Sequence, residues 1–331
     1  VTTEGSFVHA TRPRVDPKRP LPSWEELQEA LGALSAARGR PVDPASLGAR
    51  DPALIESALP FLGAVYDHVF DGETEFLGEV PDGPALLVGN HNGMTGTPDM
   101  FCHMTAFWRR YGTARPAYGL MHDMPFRTPW VGPWMNAAGA LAANPANARA
   151  ALRRGAAVLV FPGGDYDACK PFDARHRIDF GDRRGYVRLA LSERVPIVPV
   201  VSVGGHESLW VAYRGTRIAR ALGLPSRFRS NVFPVGLALP WGLLVGVPLP
   251  HLPLPVKVHT RVLRPMRLEP LDPEDPRAVE SVHRRVVSTM QAALDEMVRE
   301  DRFGLWPAAR GEKLARTLQS LRNSFRRVRS G

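Results

Sequence analysis

The chain has 331 residues, 44% hydrophobic and 23% charged, with a net charge of +9, enough to bury the core of one large α/β domain or two small ones. Two cysteines, Cys102 and Cys169, exclude a disulfide framework and lack metal-site spacing. They make a reducing, cytosolic setting the expectation. The first twenty residues hold no apolar run of the kind a secretory leader needs.

Residues 1–22 are rich in proline and arginine and read as irregular. The stretch 24–38 reads as a helix with Ser23 at its N-cap. Over 54–70, Leu54, Ala58, Leu62, Val65 and Val69 share a face, which predicts a helix kinked or restarted at Pro60. From residue 84 short apolar strands alternate with helices. Strands are expected at 85–89, 116–120, 156–161 and 196–203, and helices at 98–112, 146–155 and 183–195. Thr97 stands at the N-cap of the helix at 98–112 and Pro98 at its first position. This rhythm predicts an α/β fold with a mostly parallel central sheet flanked by helices on both faces.

Residues 231–256 contain no charged side chain, but their six prolines and three glycines argue against a membrane-spanning helix. They read as apolar loop and short strands, either an ordinary buried connection or the lining of an acyl-chain site. The segment 255–263 alternates like a strand, and 275–300 reads as a long amphipathic helix. Residues 310–331 carry seven basic residues against Glu312. Leu314, Leu318, Leu321, Phe325 and Val328 add an apolar stripe, so the tail reads as a basic amphipathic helix. It either lies on an anionic membrane or docks on the body of the protein. The expected organisation is a helical extension over 1–80, an α/β domain over 81–303 and a basic tail over 304–331.

Chemistry concentrates in LLVGNHNGMTGTPDMF, residues 86–101. A strand-to-helix turn of this kind places side chains at the carboxyl edge of the sheet, where open α/β folds bind ligands. His91 there is a candidate general base for a hydroxyl. Asp99, in the first turn of the next helix, is the nearest carboxylate to fix its tautomer. Gly93 and Gly96 allow the loop to fold back. Backbone N–H groups near the start of that helix are candidate oxyanion donors. Cys169, near Asp167 and His176, permits a thiol nucleophile but matches no cysteine-enzyme signature. His103 and His122 have no ligand spacing and read as structural.

Two further blocks follow in order, VLVFPGGDYDACKP (158–171) and DRRGYVRLALSERVPIVPVVSVGG (182–205). Together with the His91 loop they resemble the glycerolipid acyltransferase superfamily that includes the bacterial lysophosphatidic acid acyltransferases. Within it they are more similar to the monoacylglycerol and diacylglycerol acyltransferase-like branch. The resemblance runs over about residues 84–265. It implies a glycerol-3-phosphate acyltransferase-like fold and acyl transfer in phospholipid or glycerolipid biosynthesis. The implied catalytic pair is His91 and Asp99. The implied donor is acyl-CoA or an acyl carrier protein, acting as co-substrate, with no other cofactor and no metal.

The acceptor implied is a glycerolipid or lysophospholipid at an anionic membrane surface. The implied location is cytoplasmic, peripheral on the inner face of the cell membrane, with no nucleic-acid partner. Substrate contacts are expected from Asn90, Asn92, Gly93, Phe161, Pro162, Gly163, Gly164, Asp165, Arg183, Arg184, His206 and Glu207. Two departures stand out. Seven residues separate His91 from Asp99, where the superfamily usually has four. Its phosphatidic-acid-forming members usually carry Phe-Pro-Glu-Gly-Thr-Arg, whereas Phe161-Pro162-Gly163-Gly164-Asp165-Tyr166 lacks the arginine. A phosphate would then have to meet Arg175, Arg177, Arg183 or Arg184, and a neutral acceptor is equally open. The other readings are a hydrolase of acyl thioesters using the same histidine and a non-catalytic lipid- or nucleic-acid-binding protein that works through its tail.

Overall fold

The computed structural model describes residues 18–93, 96–238, 242–246 and 255–305. Ten strands occur in these segments: β1 (Glu73–Phe76), β2 (Ala85–Gly89), β3 (Ala117–Met121), β4 (Ala140–Ala142), β5 (Ala157–Val160), β6 (Ile197–Val203), β7 (Leu209–Tyr213), β8 (Val235–Ala238), β9 (Gly242–Val245) and β10 (His259–Val262). Seven form one sheet in the order β1-β10-β6-β2-β5-β3-β4, and β7-β8-β9 form a second, smaller one. In the large sheet β10 runs antiparallel to β6, and the other neighbours are parallel.

Every residue of β2 and β6 is buried, as expected of central strands covered on both faces. Side-chain alternation sorts them into two layers. Leu86, Val88, Val158, Ile197 and Val201 face helix Pro276–Glu300, which contributes Val282, Val286, Met290 and Leu294. Leu87, Leu159, Val198 and Val200 face the other way, against Phe107 and Trp108 of helix Pro98–Tyr111 and Ile55 and Leu62 of helix Pro52–Ala64. Each fully buried side chain of this size contributes about 1.5–3 kcal/mol. Register is therefore strongly specified, and with it the position of the β2 carboxyl end.

Helix Trp24–Ala36 begins with the expected Ser23 cap, completed by Glu26 as a capping box. Helix Pro52–Ala64 does not break at Pro60. It continues through that residue and loosens into a wider turn over Val65–Val69. The sheet also begins earlier than residue 81, because β1 joins its edge. Glu73 and Glu75 make β1 look too polar for a buried strand, yet each is almost fully buried. Lys257 and Arg302 pair with Glu73, and Arg261 and Arg302 with Glu75. These cations occupy the surroundings of the Glu73–Glu75–His259 group, whose ligand-type atoms lie within 4.8 Å of one another.

The expected tail helix over 310–331 lies outside the described residues, as does most of 247–256. No helix among the described residues is long and apolar enough to cross a membrane.

Candidate active site

β2 ends at Gly89, and Asn90, His91 and Asn92 leave its carboxyl edge directly. Asn90 Nδ2 donates to the Ser202 carbonyl at 2.9 Å, and Asn90 Oδ1 accepts the Ser202 N–H at 2.8 Å. Asn92 Nδ2 donates to the same carbonyl at 2.8 Å. Both asparagines are buried. Both Nδ2 groups and the Asn90 Oδ1 are spent on β6, so these two residues anchor the loop. Gly93 turns the chain at φ +77, and a Cβ there would lie 2.6 Å from Pro98 Cδ and 3.2 Å from the Gly205 carbonyl oxygen. A side chain at 93 would push the loop off both neighbours.

The longer spacing still closes. Asp99 Oδ2 accepts from His91 Nδ1 at 2.7 Å and from the Asn92 N–H at 2.9 Å. An ionised carboxylate only accepts, so Nδ1 carries the hydrogen and Nε2 is left as the acceptor. Nε2 makes no hydrogen bond among the described residues, and the His91 side chain is 15% exposed whereas Asp99 is 1% exposed. Asp99 is held by the first turn of helix Pro98–Tyr111. Thr97 does not cap that helix with its side chain. It sits at φ +37 and makes no cap bond, a conformation uncommon for a β-branched residue. The N–H groups of Asp99 and Met100 consequently have no acceptor among the described residues.

Behind His91 lies a buried pair, Asp167 and Lys170, of which the sequence singles out only Asp167, as a neighbour of Cys169. Asp167 Oδ2 accepts the His91 backbone N–H at 2.6 Å, and Asp167 Oδ1 meets Lys170 Nζ at 2.5 Å. Both side chains are fully buried, and Lys170 Nζ also donates to the Arg177 carbonyl at 2.8 Å. An acid and a lysine three residues apart at the end of the short helix Gly164–Ala168 are the available signal. Cys169 is buried, and burial pushes its thiol up to about 12, which removes it as a nucleophile at neutral pH.

Electrostatics separate the histidines. Burial pulls the His91 pKa down, but the charge and hydrogen bond of Asp99, with Asp167 behind, outweigh it and hold the imidazole above its ordinary value of 6.5. Burial raises the Asp167 carboxyl despite Lys170. His206 is buried, and burial together with the charges of Lys170 and His91 drives its pKa far down, so it is neutral. Its Nε2 has no hydrogen-bond partner among the described residues. Glu207 is turned to Arg175, 3.3 Å away, and His176, 3.5 Å away. His103 is buried and lowered to about 4 by desolvation. His122 caps a short helix through Nδ1 to the Met124 N–H.

Phe161 stacks on the His91 ring with centroids 4.5 Å apart. Gly89 makes room for it, since a Cβ at 89 would lie 2.6 Å from the Phe161 ring. The turn that follows is tied down by its own residues. Arg183 donates to the Gly163 carbonyl at 2.6 Å, the Pro162 carbonyl at 3.3 Å and Asp165 Oδ1 at 2.7 Å. Asp165 Oδ2 accepts the Asn231 N–H at 2.7 Å, and the Gly164 N–H is spent on the Phe161 carbonyl. Arg184 points to Glu280, with Nε 2.8 Å from its carboxylate. The expected substrate contacts thus divide. Phe161 adjoins the His91 ring and His206 lies within its electrostatic reach, while Asp165, Arg183 and Arg184 are engaged in intramolecular bonds.

Residues 73–203 match the protein-family model described as Acyltransferase. An uncharacterised protein of Mycobacterium leprae is 33% identical over 192 residues, which is 58% of this chain and 51% of that protein. An uncharacterised protein of Mycobacterium tuberculosis is 32% identical over 192 residues, 58% of this chain and 52% of that one. The chain spans about half the length of the curated relatives it matches. Among solved structures, the 1-acyl-sn-glycerophosphate acyltransferase of Thermotoga maritima aligns with a TM-score of 0.44 at 13% identity, covering 82% of this chain and 96% of that one.

Proposed function

We infer that this chain, whose residues 73–203 fall within the acyltransferase family, moves a fatty acyl group from a thioester to a hydroxyl of a glycerolipid. The observation that carries the reading is the 2.7 Å His91–Asp99 contact at the open end of β2. It leaves Nε2 as a base at the sheet edge. The thioester donor is acyl-CoA or an acyl carrier protein, and the work is done at the membrane, in glycerolipid or phospholipid biosynthesis.

In this reading His91 Nε2 takes the proton of the acceptor hydroxyl as its oxygen attacks the thioester carbonyl. Asp99 stabilises the imidazolium that forms. The tetrahedral oxyanion draws on N–H groups near the start of helix Pro98–Tyr111. Collapse breaks the C–S bond, and His91 returns its proton to the departing thiolate. An ester and a free thiol result, with no covalent enzyme intermediate.

The arginines bear on the acceptor. Arg183, Arg184 and Arg175 are each paired with a carboxylate. Freeing one for a phosphate would leave its carboxylate partner exposed to loss of that bond. Arg177, the fourth candidate, is exposed and makes no ion pair among the described residues, so the pairing of the other three supports, at those positions, an acceptor whose reactive hydroxyl belongs to a lipid without a free phosphate. A panel of monoacylglycerol, diacylglycerol, glycolipid, glycerol 3-phosphate and lysophosphatidic acid, each with palmitoyl-CoA, tests it. Preference for lysophosphatidic acid would overturn the choice of acceptor. Fatty acid formed at the same rate without any acceptor would replace the transferase with a hydrolase.

A further inference from the structure

The small sheet has two unlike faces. Leu209 and Val211 of β7 turn inward with Val232, Ala168 and Cys169, and Leu244 packs on them. On the outer face Trp210, Leu237 and Leu243 stand directly opposite one another across three strands. They are 48%, 43% and 70% exposed. The two helices between β7 and β8, Thr216–Ala221 and Leu224–Phe228, continue the pattern with exposed Ile218, Leu222 and Phe228. Eight of the eighteen large apolar side chains that stand exposed among the described residues fall between 210 and 245. The row Trp210–Leu237–Leu243 is a contiguous exposed apolar patch of the kind that marks an interaction surface.

Charge identifies the occupant. Between residues 210 and 245 there is no aspartate or glutamate, and of the five arginines Arg214 and Arg229 pair with Asp179 and Asp123. Arg217, Arg220 and Arg227 are exposed and make no ion pair among the described residues. A second copy of this surface, or the tail with its seven basic residues against Glu312, would bring like charge onto it. Nucleic acid would satisfy the arginines but not the aliphatic Leu222, Leu237 and Leu243, which have no base-stacking face. Guanidinium groups set among aliphatic and aromatic side chains match the headgroup and acyl boundary of an anionic bilayer.

We propose that the outer face of β7–β9 and the two helices between β7 and β8 form the surface on which this protein docks to an anionic lipid bilayer. The proposal deepens the lipid-acylating reading and rests on it for its purpose. β7 follows the turn bearing His206 and Glu207. The inner face of the sheet packs on the helix whose Asp167 holds the His91 N–H. The small sheet thus connects the docked face to the helix that holds the His91 backbone.

The test is sedimentation of the full chain with phosphatidylcholine vesicles, with and without phosphatidylglycerol, over a salt series. Each arginine at an anionic surface is worth about fivefold in partitioning. Replacing Arg217, Arg220 and Arg227 together with glutamine should weaken binding to phosphatidylglycerol vesicles about a hundredfold. Leu243→Ser with Trp210→Ala should weaken it as well, both variants keeping the wild-type melting temperature. Equal binding to both vesicle types, or binding unchanged by both variants, would overturn the proposal. So would a self-association lost in the Leu243 variant, or retention on a single-stranded oligonucleotide but not on vesicles. Failure of the acyltransferase reading would show separately, as absent thiol release from palmitoyl-CoA with vesicle binding intact.

Discussion

Asp99→Asn separates the charge of the carboxylate from its geometry. Asp99 Oδ2 accepts two N–H groups, whereas Oδ1 has no partner among the described residues. An asparagine can place its carbonyl oxygen where Oδ2 sits and its amide where Oδ1 sits. There it faces no donor that it would displace, and it lies one helical turn from His103, whose ring nitrogens are also unpartnered. His91 then keeps its Nδ1–H tautomer and loses only the negative charge beside it. A charge-assisted hydrogen bond is worth about 1.5–3 kcal/mol against about 1 for a neutral one, so kcat/KM should fall by about 2–30-fold. Asp99→Ala strands both N–H groups and should cost about 10²–10⁴-fold.

The pH profile gives the sign. In the wild type the raised His91 pKa means that the basic form is lost as pH falls through a value above 6.5. In Asp99→Asn the charge that raises it is gone and burial, which lowers it, remains. The acid limb of kcat/KM should therefore move to lower pH. Steady-state thiol release across pH 5–9 measures both quantities. An unshifted acid limb with unchanged rate in Asp99→Asn would refute the assignment of Asp99 as the group that sets His91.

Lys170→Met leaves the Asp167 carboxylate buried without its counter-charge and should cost about 3–5 kcal/mol in chemical denaturation, with Asp167→Asn added to it recovering part of the loss. Gly163→Ala places a Cβ 2.2 Å from Asp167 Cβ and 2.9 Å from the Asp179 carbonyl oxygen. It should destabilise by about 1–3 kcal/mol and lower kcat, because Asp167 fixes the His91 backbone. Arg183→Gln should reduce turnover on neutral and phosphorylated acceptors alike, since it loosens the Phe161–Asp165 turn, and a loss confined to phosphorylated acceptors in the same assay would make Arg183 a phosphate ligand.

Much of the catalytic edge was readable because its signals were local. The apolar run 85–89, the helix start at Pro98 and the histidine between them fix β2, the next helix and the side of the sheet on which His91 emerges. Pairing across seven residues needed only that Gly93 bend the loop. What escaped the sequence depended on distant partners. β1 is buried despite Glu73 and Glu75 because Lys257, Arg261 and Arg302 arrive from the far end of the chain. Asn90 and Asn92 resemble substrate contacts until Ser202, 110–112 residues away, claims their amides. β8 and β9 fall where short strands are expected within 231–256, whereas β7, only five residues long, follows the His206 turn without a strand signal of its own.

The most direct measurement is the product of a reaction containing palmitoyl-CoA and a neutral glycerolipid with a free hydroxyl, followed with the wild type and with His91→Ala. Labelled acyl-lipid and free thiol should form in equal amounts with the wild type. Both should fall by about 10²–10⁴-fold in His91→Ala, with the melting temperature retained. Turnover in the variant equal to that of the wild type would contradict His91 as the base.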